Sequence, residues 1–153
     1  MHLSFALFAD AANLSQEGKL NVMGVFDAVQ VGSLPAVHPR AHLVLRLKGG
    51  RADAGTHQLT LRWTNPRGDE VWSTTGELNV AIPPAGALDM DVPLIAAVDL
   101  PLEIVGIYVM HIDLDGAPTA EVPLHVRTAG LTTGPTVPMG VMGSGDFGHG
   151  MVS

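Results

Sequence analysis

Apolar and polar residues alternate with a period of two along most of the chain, and a helical period is nearly absent. The clearest stretches are HLVLRLKG, residues 42–49, and THQLTLRWTN, residues 56–65, where leucine or tryptophan recurs at every second position. Such alternation is typical of antiparallel strands with one face on a core and the other in solvent. We therefore predict an all-β fold: a two-sheet antiparallel β-sandwich of about eight strands, immunoglobulin-like or C2-like.

The other strands are indicated by shorter patterns. Residues 3–9 predict a first strand that ends at Asp10, and the apolar run within 19–31 predicts a long, central second strand. We interpret the polar residues between these two strands as a turn. The segment 90–100 fits either a strand or a short helix. Residues 103–115 predict a strand with four side chains on one face: Tyr108, Met110, Ile112 and Leu114.

The C-terminal segment has a different composition. Residues 128–153 contain seven glycines, two prolines and three methionines, with Asp146 as the single formally charged residue. This composition does not build a core of its own. We therefore divide the chain into a sandwich domain, residues 1–127, and a Gly/Pro/Met-rich tail, residues 128–153, that is either a docking arm or a segment without a fixed role. The tail residues predicted to form a protein interface are Met139, Val141, Met142, Phe147 and Met151.

Charge is distributed unevenly around a net value of −7. Residues 40–67 hold six basic residues against one acidic residue, and residues 69–153 hold eleven acidic residues against one basic residue. If the two segments lay on different faces, the molecule would be a charge dipole suited to association with copies of itself or with a matched partner. Alternatively, neighbouring strands interleave the segments and cancel their charges, and we favour this second interpretation. The acidic balance and few aromatic residues argue against a nucleic-acid partner.

Several functional classes lack their sequence signatures. The absence of cysteine excludes thiol nucleophiles, cysteine-ligated zinc and disulfides. Nucleophile-elbow, phosphate-loop and dinucleotide-binding patterns are also missing, so we predict that the protein is not an enzyme. No apolar run approaches the ~20 residues of a membrane span, and no basic region precedes the first apolar run as in a signal peptide. We expect no membrane association and a cytoplasmic location, or incorporation into a particle.

Aspartates suggest one alternative with a metal ion. In HIDLDG the side chains of His111, Asp113 and Asp115 alternate, and LDMDV adds Asp89 and Asp91. C2-type domains hold calcium with aspartates at loop ends, because a hard cation takes several carboxylate oxygens. The four aspartates are therefore a candidate calcium site, and no other cofactor is predicted. The competing interpretation is a solvated sheet face followed by an ordinary Asp-Gly turn.

Several motifs resemble a known family. They are LxADAA, GKLNVMGVFD, PAVHPR, LVLRL, GIYVMHIDLDG and PLHV, and together they cover about residues 5–127 without the tail. As a set they resemble a family of small all-β bacterial and phage-associated proteins of unknown function. The resemblance implies an all-β domain without an established activity, and it supplies no catalytic residues.

These observations favour a non-catalytic binding or assembly module whose partners are proteins. We expect it to be a subunit of a homo-oligomer or of a larger, phage-related assembly. The alternative is a calcium-dependent, C2-like binding module.

Overall fold

The computed structural model describes residues 1–129, which form nine strands in two sheets and one short 3₁₀ helix, Arg51–Asp53. The predicted all-β class is confirmed. The strands are β1 (His2–Leu14), β2 (Leu20–Phe26), β3 (Ala28–Val31), β4 (Ala36–Gly50), β5 (Gly55–Thr64), β6 (Glu70–Val80), β7 (Asp89–Leu102), β8 (Gly106–Leu114) and β9 (Ala117–Thr128).

The two sheets pack face to face as a sandwich. One sheet has four strands in the order β2-β1-β4-β7, and the other has five in the order β3-β9-β8-β5-β6. All neighbouring pairs are antiparallel except β3 and β9, which are parallel. The antiparallel prediction is therefore confirmed with one exception, which arises where the chain passes from the first sheet to the edge of the second.

Aromatic and leucine side chains fill the space between the sheets. Trp63 stacks on Tyr108 with ring centroids 5.3 Å apart, and Phe8 meets the Trp63 ring edge-on at 6.0 Å. Their polar atoms are satisfied: the Trp63 indole donates to the Pro101 carbonyl, and the Tyr108 hydroxyl accepts the Ile104 amide. The face predicted for β8 is confirmed, because Tyr108, Met110 and Ile112 are buried in the core and Leu114 packs against it.

The N-terminal strands differ from the prediction. The first strand does not end at Asp10 but continues to Leu14, and the turn follows, where the Ser15 amide donates to the Lys19 carbonyl. The predicted second strand over 19–31 is wrong in two respects. It divides at Asp27 into β2 and β3, which belong to different sheets, and β2 lies at an edge instead of the centre. The division occurs because the Asp27 carbonyl accepts the amide of His125 in β9, which starts β3 alongside the second sheet.

The β1–β2 hairpin folds back over the outer face of its own sheet. At the tip of the hairpin, Leu20 pairs with Leu14. Leu14 is nine residues beyond Phe5, a distance of roughly 30 Å if β1 were straight. Nevertheless residues 17–20 and Val22 line one cavity of about 420 Å³ together with Phe5 and Pro93. Gly24, at φ 70°, lies opposite Asp10 where the hairpin must bend, and the Asp10 side chain occupies the space that a side chain at Gly24 would need.

The ambiguous segment 90–100 is a strand. It belongs to β7, which pairs with β4 along its whole length, from Asp89 opposite Gly50 to Leu102 opposite Ala36. The fifteen-residue β4 lies between β1 and β7, and a helix at 90–100 would leave the middle of β4 without hydrogen-bond partners on that edge.

Candidate functional site

Two of the four candidate calcium ligands lie on β7. Asp89 is exposed at the start of the strand. Asp91 forms ion pairs on the outer face of the four-stranded sheet, at 2.6 Å from the Arg46 guanidinium and 3.6 Å from the Lys48 ammonium. The hydrogen bond from Arg46 holds the pKa of Asp91 below its ordinary value. The carboxylate of Asp91 is thus already engaged by side-chain cations.

The other two candidates lie at the C-terminal end of β8, in the five-stranded sheet. Asp113 is 3.3 Å from the Arg62 guanidinium. Asp115 sits in the following turn at φ 51°, accepts the Gln58 amide at 2.8 Å and lies 2.6 Å from Nδ1 of His57. This hydrogen bond lowers the pKa of Asp115 and raises the pKa of His57.

The four aspartates therefore do not share one ligand set. Two belong to each sheet, and three of the four have a basic partner. Within residues 1–129, no three His, Asp or Glu side chains come close enough to hold a metal ion. The period-two pattern correctly places aspartates on the surface, but the structure gives the calcium alternative no assembled site in this part of the chain.

The interleaved-charge interpretation is confirmed for the strands. The basic segment contributes β4 and β5, while the acidic segment contributes β7 and β8. Since β4 neighbours β7 and β5 neighbours β8, Arg46 meets Asp91 and Arg62 meets Asp113. Opposite charges pair across neighbouring strands instead of collecting on separate faces.

A hydroxyl, an imidazole and a carboxylate line up on the outer face of the five-stranded sheet. Thr64 Oγ1 is 3.1 Å from Nε2 of His111, and Nδ1 of His111 is 3.2 Å from Glu121. The order matches a nucleophile, base and carboxylate triad. Sequence reasoning missed it because the three residues lie on β5, β8 and β9, and no fixed spacing connects them.

The surroundings of this polar row do not suit nucleophilic catalysis. Thr64 is only 8% exposed, and its hydroxyl also lies 3.4 Å from the Val109 carbonyl. The adjacent cavity of about 580 Å³ is lined by His111 and Glu121 but not by Thr64. A molecule in that cavity would touch the imidazole without reaching the hydroxyl. The row therefore links three strands, and its geometry supports a structural role.

The open side of the sandwich presents a different kind of site. Strands β6 and β7 are the edge strands of their sheets and lie on the same side. Between them is an apolar cavity of about 240 Å³, which we call the β6–β7 slot. Its lining residues are Leu59, Leu61, Thr74, Thr75, Gly76, Glu77, Leu94, Ile95 and Ala96.

The slot exists because two core-facing positions of β6 carry small residues. Thr74 pairs with Leu61, and Gly76 pairs with Leu59, so both positions lie on the face that points toward the other sheet. A Cβ atom at Gly76 would meet nothing within 4 Å. Leu59 and Leu61 are 6% and 5% exposed, so they belong to the core although they line the slot.

The backbone of β6 is available beside the slot. In the part of the chain that the structure describes, β6 pairs only with β5, and β7 pairs only with β4. The segment 73–77 is exposed at every residue and contains no proline, whereas β7 carries Pro93 and Pro101. The register shift of β6 against β5 lies at Val71, outside this segment, and residues 73–77 pair regularly. A regular edge segment without proline is a template for pairing with another strand.

The predicted tail interface cannot be placed on this surface directly. The residues of that interface lie outside the described part of the chain: Met139, Val141, Met142, Phe147 and Met151.

Among residues 1–129, no helix is long and apolar enough to cross a membrane.

Comparison with known proteins adds a family assignment. No curated protein matches the chain in sequence. The sequence does match a family described as "family of unknown function (DUF6941)" over residues 4–127, nearly the whole described structure. This range agrees with the resemblance over about residues 5–127 and excludes the tail. The chain therefore belongs to this family of unknown function.

Proposed function

We propose that the protein is a non-catalytic binding module that assembles with copies of itself, as a subunit of a homo-oligomer or of a larger, phage-related assembly. The observation that supports this proposal is the β6–β7 slot beside an unprotected strand edge. The proposal invokes no cofactor.

The slot combines the two features that strand addition uses. Main-chain groups along an edge supply hydrogen bonds, and adjoining pockets receive every second side chain of the added strand. Here the edge is the exposed segment 73–77, and the pocket is floored by Leu59, Leu61 and Leu94. The connection between β6 and β7 also exposes apolar side chains, with Ile82 at 65% and Leu88 at 94%.

Natural proteins usually protect such edges. Charged side chains, prolines or bulges prevent unwanted pairing of edge strands. Residues 73–76 are Ser, Thr, Thr and Gly, and the first charge of the segment is Glu77. An uncharged edge beside accessible core leucines is consistent with a surface that a partner covers.

Substitutions at neighbouring residues of β6 test the proposal. Thr74 faces the slot, whereas the adjacent Ser73 does not line it and pairs with Arg62 on the opposite face of the sheet. We expect the full-length protein to form oligomers in size-exclusion chromatography with light scattering. Thr74→Lys should shift them to monomers because it places an ammonium in the apolar contact, and Ser73→Lys should retain them.

Two results would contradict the proposal. One is a wild-type mass that stays at the 16.0 kDa of a single chain across the accessible concentration range. The other is equal dissociation by both lysine variants, which would show that added charge on this strand matters and the slot does not. Circular dichroism and thermal melts of both variants establish that they are folded.

A further inference from the structure

We infer that the β6–β7 slot receives residues 137–141 of a second copy of the chain, in an extended conformation. This inference rests on the proposed function and names the partner of the same site.

The segment 137–141 has the pattern of a strand that inserts one face. Its sequence is Val-Pro-Met-Gly-Val, so Val137, Met139 and Val141 occupy every second position. Successive side chains of an extended chain point to opposite faces, so a bound strand of this sequence would present these three on one face and Pro138 and Gly140 on the other. The segment carries no charge, in keeping with a slot whose floor is formed by leucines.

The backbone of this segment also suits the edge of β6. In a strand, the N–H and C=O groups of alternate residues point to opposite sides. If residues 137, 139 and 141 pair with β6, Pro138 points away from it, and its missing N–H breaks no hydrogen bond of the new ladder. Proline is tolerated in sheets in this position, at an outer edge.

Strand register shows how far the slot lies from the exit of the tail. Gly76 pairs with Leu59, Leu59 with Leu114, and Leu114 with Ala117 at the start of β9. The tail leaves at Ala129, twelve residues further along. Three strand spacings also separate β9 from β6. At ~3.3 Å per residue along β9 and ~4.8 Å per strand spacing, Gly76 and Ala129 are roughly 40 Å apart.

The same chain cannot bridge this separation with the segment in question. Met139, the residue that we place opposite Gly76, is ten residues beyond Ala129, a span of at most about 36 Å when fully extended. The tail would also have to pass around the surface of the sandwich, which lengthens the path. Residues 137–141 in the slot must therefore come from another copy, and each copy can donate one segment and accept one.

Disulfide trapping tests this contact directly, because the natural chain has no cysteine. One chain carries Gly76→Cys, and a differently sized, tagged chain carries Met139→Cys. Gly76 has open space around it and no positive φ, so a side chain fits there. The control pairs the Gly76→Cys chain with a Ser144→Cys chain, since Ser144 also lies in the tail but belongs neither to residues 137–141 nor to the predicted interface.

We expect the mixed disulfide with Met139→Cys to form several-fold faster than that with Ser144→Cys under mild oxidation. Equal rates would overturn the inference, because they would indicate random collisions of the tail. An intrachain disulfide as the main product of the double variant Gly76→Cys/Met139→Cys would overturn the assignment to a second copy.

A second measurement leaves the sandwich unaltered. Met139→Asp should reduce the oligomeric mass toward 16.0 kDa, and Ser144→Asp, at a tail residue beyond the segment and outside the predicted interface, should not. Dissociation by Thr74→Lys without any effect of Met139→Asp would refute the tail as occupant while leaving the assembly proposal intact. A wild-type chain that is monomeric throughout would refute both.

Discussion

The two sides of the sandwich are closed in different ways. On the side of β2 and β3, the chain crosses between the sheets through Asp27 alone, and β3 extends the second sheet alongside β9. Phe26 stacks on Phe8 at 5.9 Å and contacts the ring of His38 at 5.2 Å. A large aromatic side chain at the end of the edge strand therefore covers the core on this side.

The side of β6 and β7 is covered only in part among residues 1–129, because Trp72 packs against the core near one end of β6, and Leu78 and Val80 are buried near the other. The connection between the strands runs through residues 81–88, and the core-facing positions Thr74 and Gly76 are too small to reach the opposite sheet. Both sides thus belong to edge strands, but the positions of β6 between Trp72 and Leu78 lack a bulky side chain that faces the core. Closure of a sandwich therefore depends on which side chains its edge strands direct toward the core, as well as on the edge strands themselves.

The largest expected effect is on the closed side. Phe26→Ala should lower the free energy of unfolding by about 3 kcal/mol, the lower end for loss of a phenylalanine, because Phe26 is only partly buried. Met23→Ala on the same strand, where Met23 is 69% exposed, should change it by less than about 0.5 kcal/mol. Urea denaturation measures both. Similar losses would show that Phe26 does not seal this side.

A smaller effect of opposite sign is expected on the open side. Gly76→Val should raise the free energy of unfolding by about 0.5–1 kcal/mol, since valine favours a strand and its side chain enters open space. It should also weaken assembly by filling the slot. The measurement is made in a Met139→Asp background, so that oligomerisation does not contribute. Thr75→Val, which faces outward, is the matched control, and destabilisation by Gly76→Val alone would mean that the slot is not open.

The smallest expected effect is on the pKa of His57, which contacts Asp115 in the turn after β8. Asp115 raises the pKa of His57 above its ordinary 6.5, so the pair stabilises the fold while His57 is protonated. That contribution is lost as pH rises through the raised pKa. Because the pKa of Asp115 is lowered below 3.8, the contribution is also lost as pH falls through that lower value.

Asp115→Asn tests this coupling with little change in shape, since asparagine tolerates the φ of 51° at this position. NMR titration of the His57 ring protons should show a lower pKa in the variant than in the wild type. The His125 ring serves as an internal reference. An unchanged His57 titration would show that the 2.6 Å contact does not persist in solution.

Sequence reasoning succeeded where structure is local. The alternation in β5 and β8 predicted which side chains face the core, and Leu59, Leu61 and Tyr108 are buried as expected. It failed at residues 19–31, because the break at Asp27 depends on a hydrogen bond from His125, almost a hundred residues away. Aspartates were likewise placed on the surface correctly, but their partners Arg46 and Arg62 follow from strand order, which period-two alternation does not encode.

The sequence by itself determined the all-β class, the inward faces of the central strands and the distinct composition of the tail. These properties follow from side-chain alternation, which is a local consequence of the extended backbone. The tertiary structure alone decided which strands lie at the edges, and therefore that Thr74 and Gly76 stand beside open core leucines. Edge and centre are set by hydrogen bonds and packing between segments far apart in the chain, so the β6–β7 slot became visible only when the strands were in place.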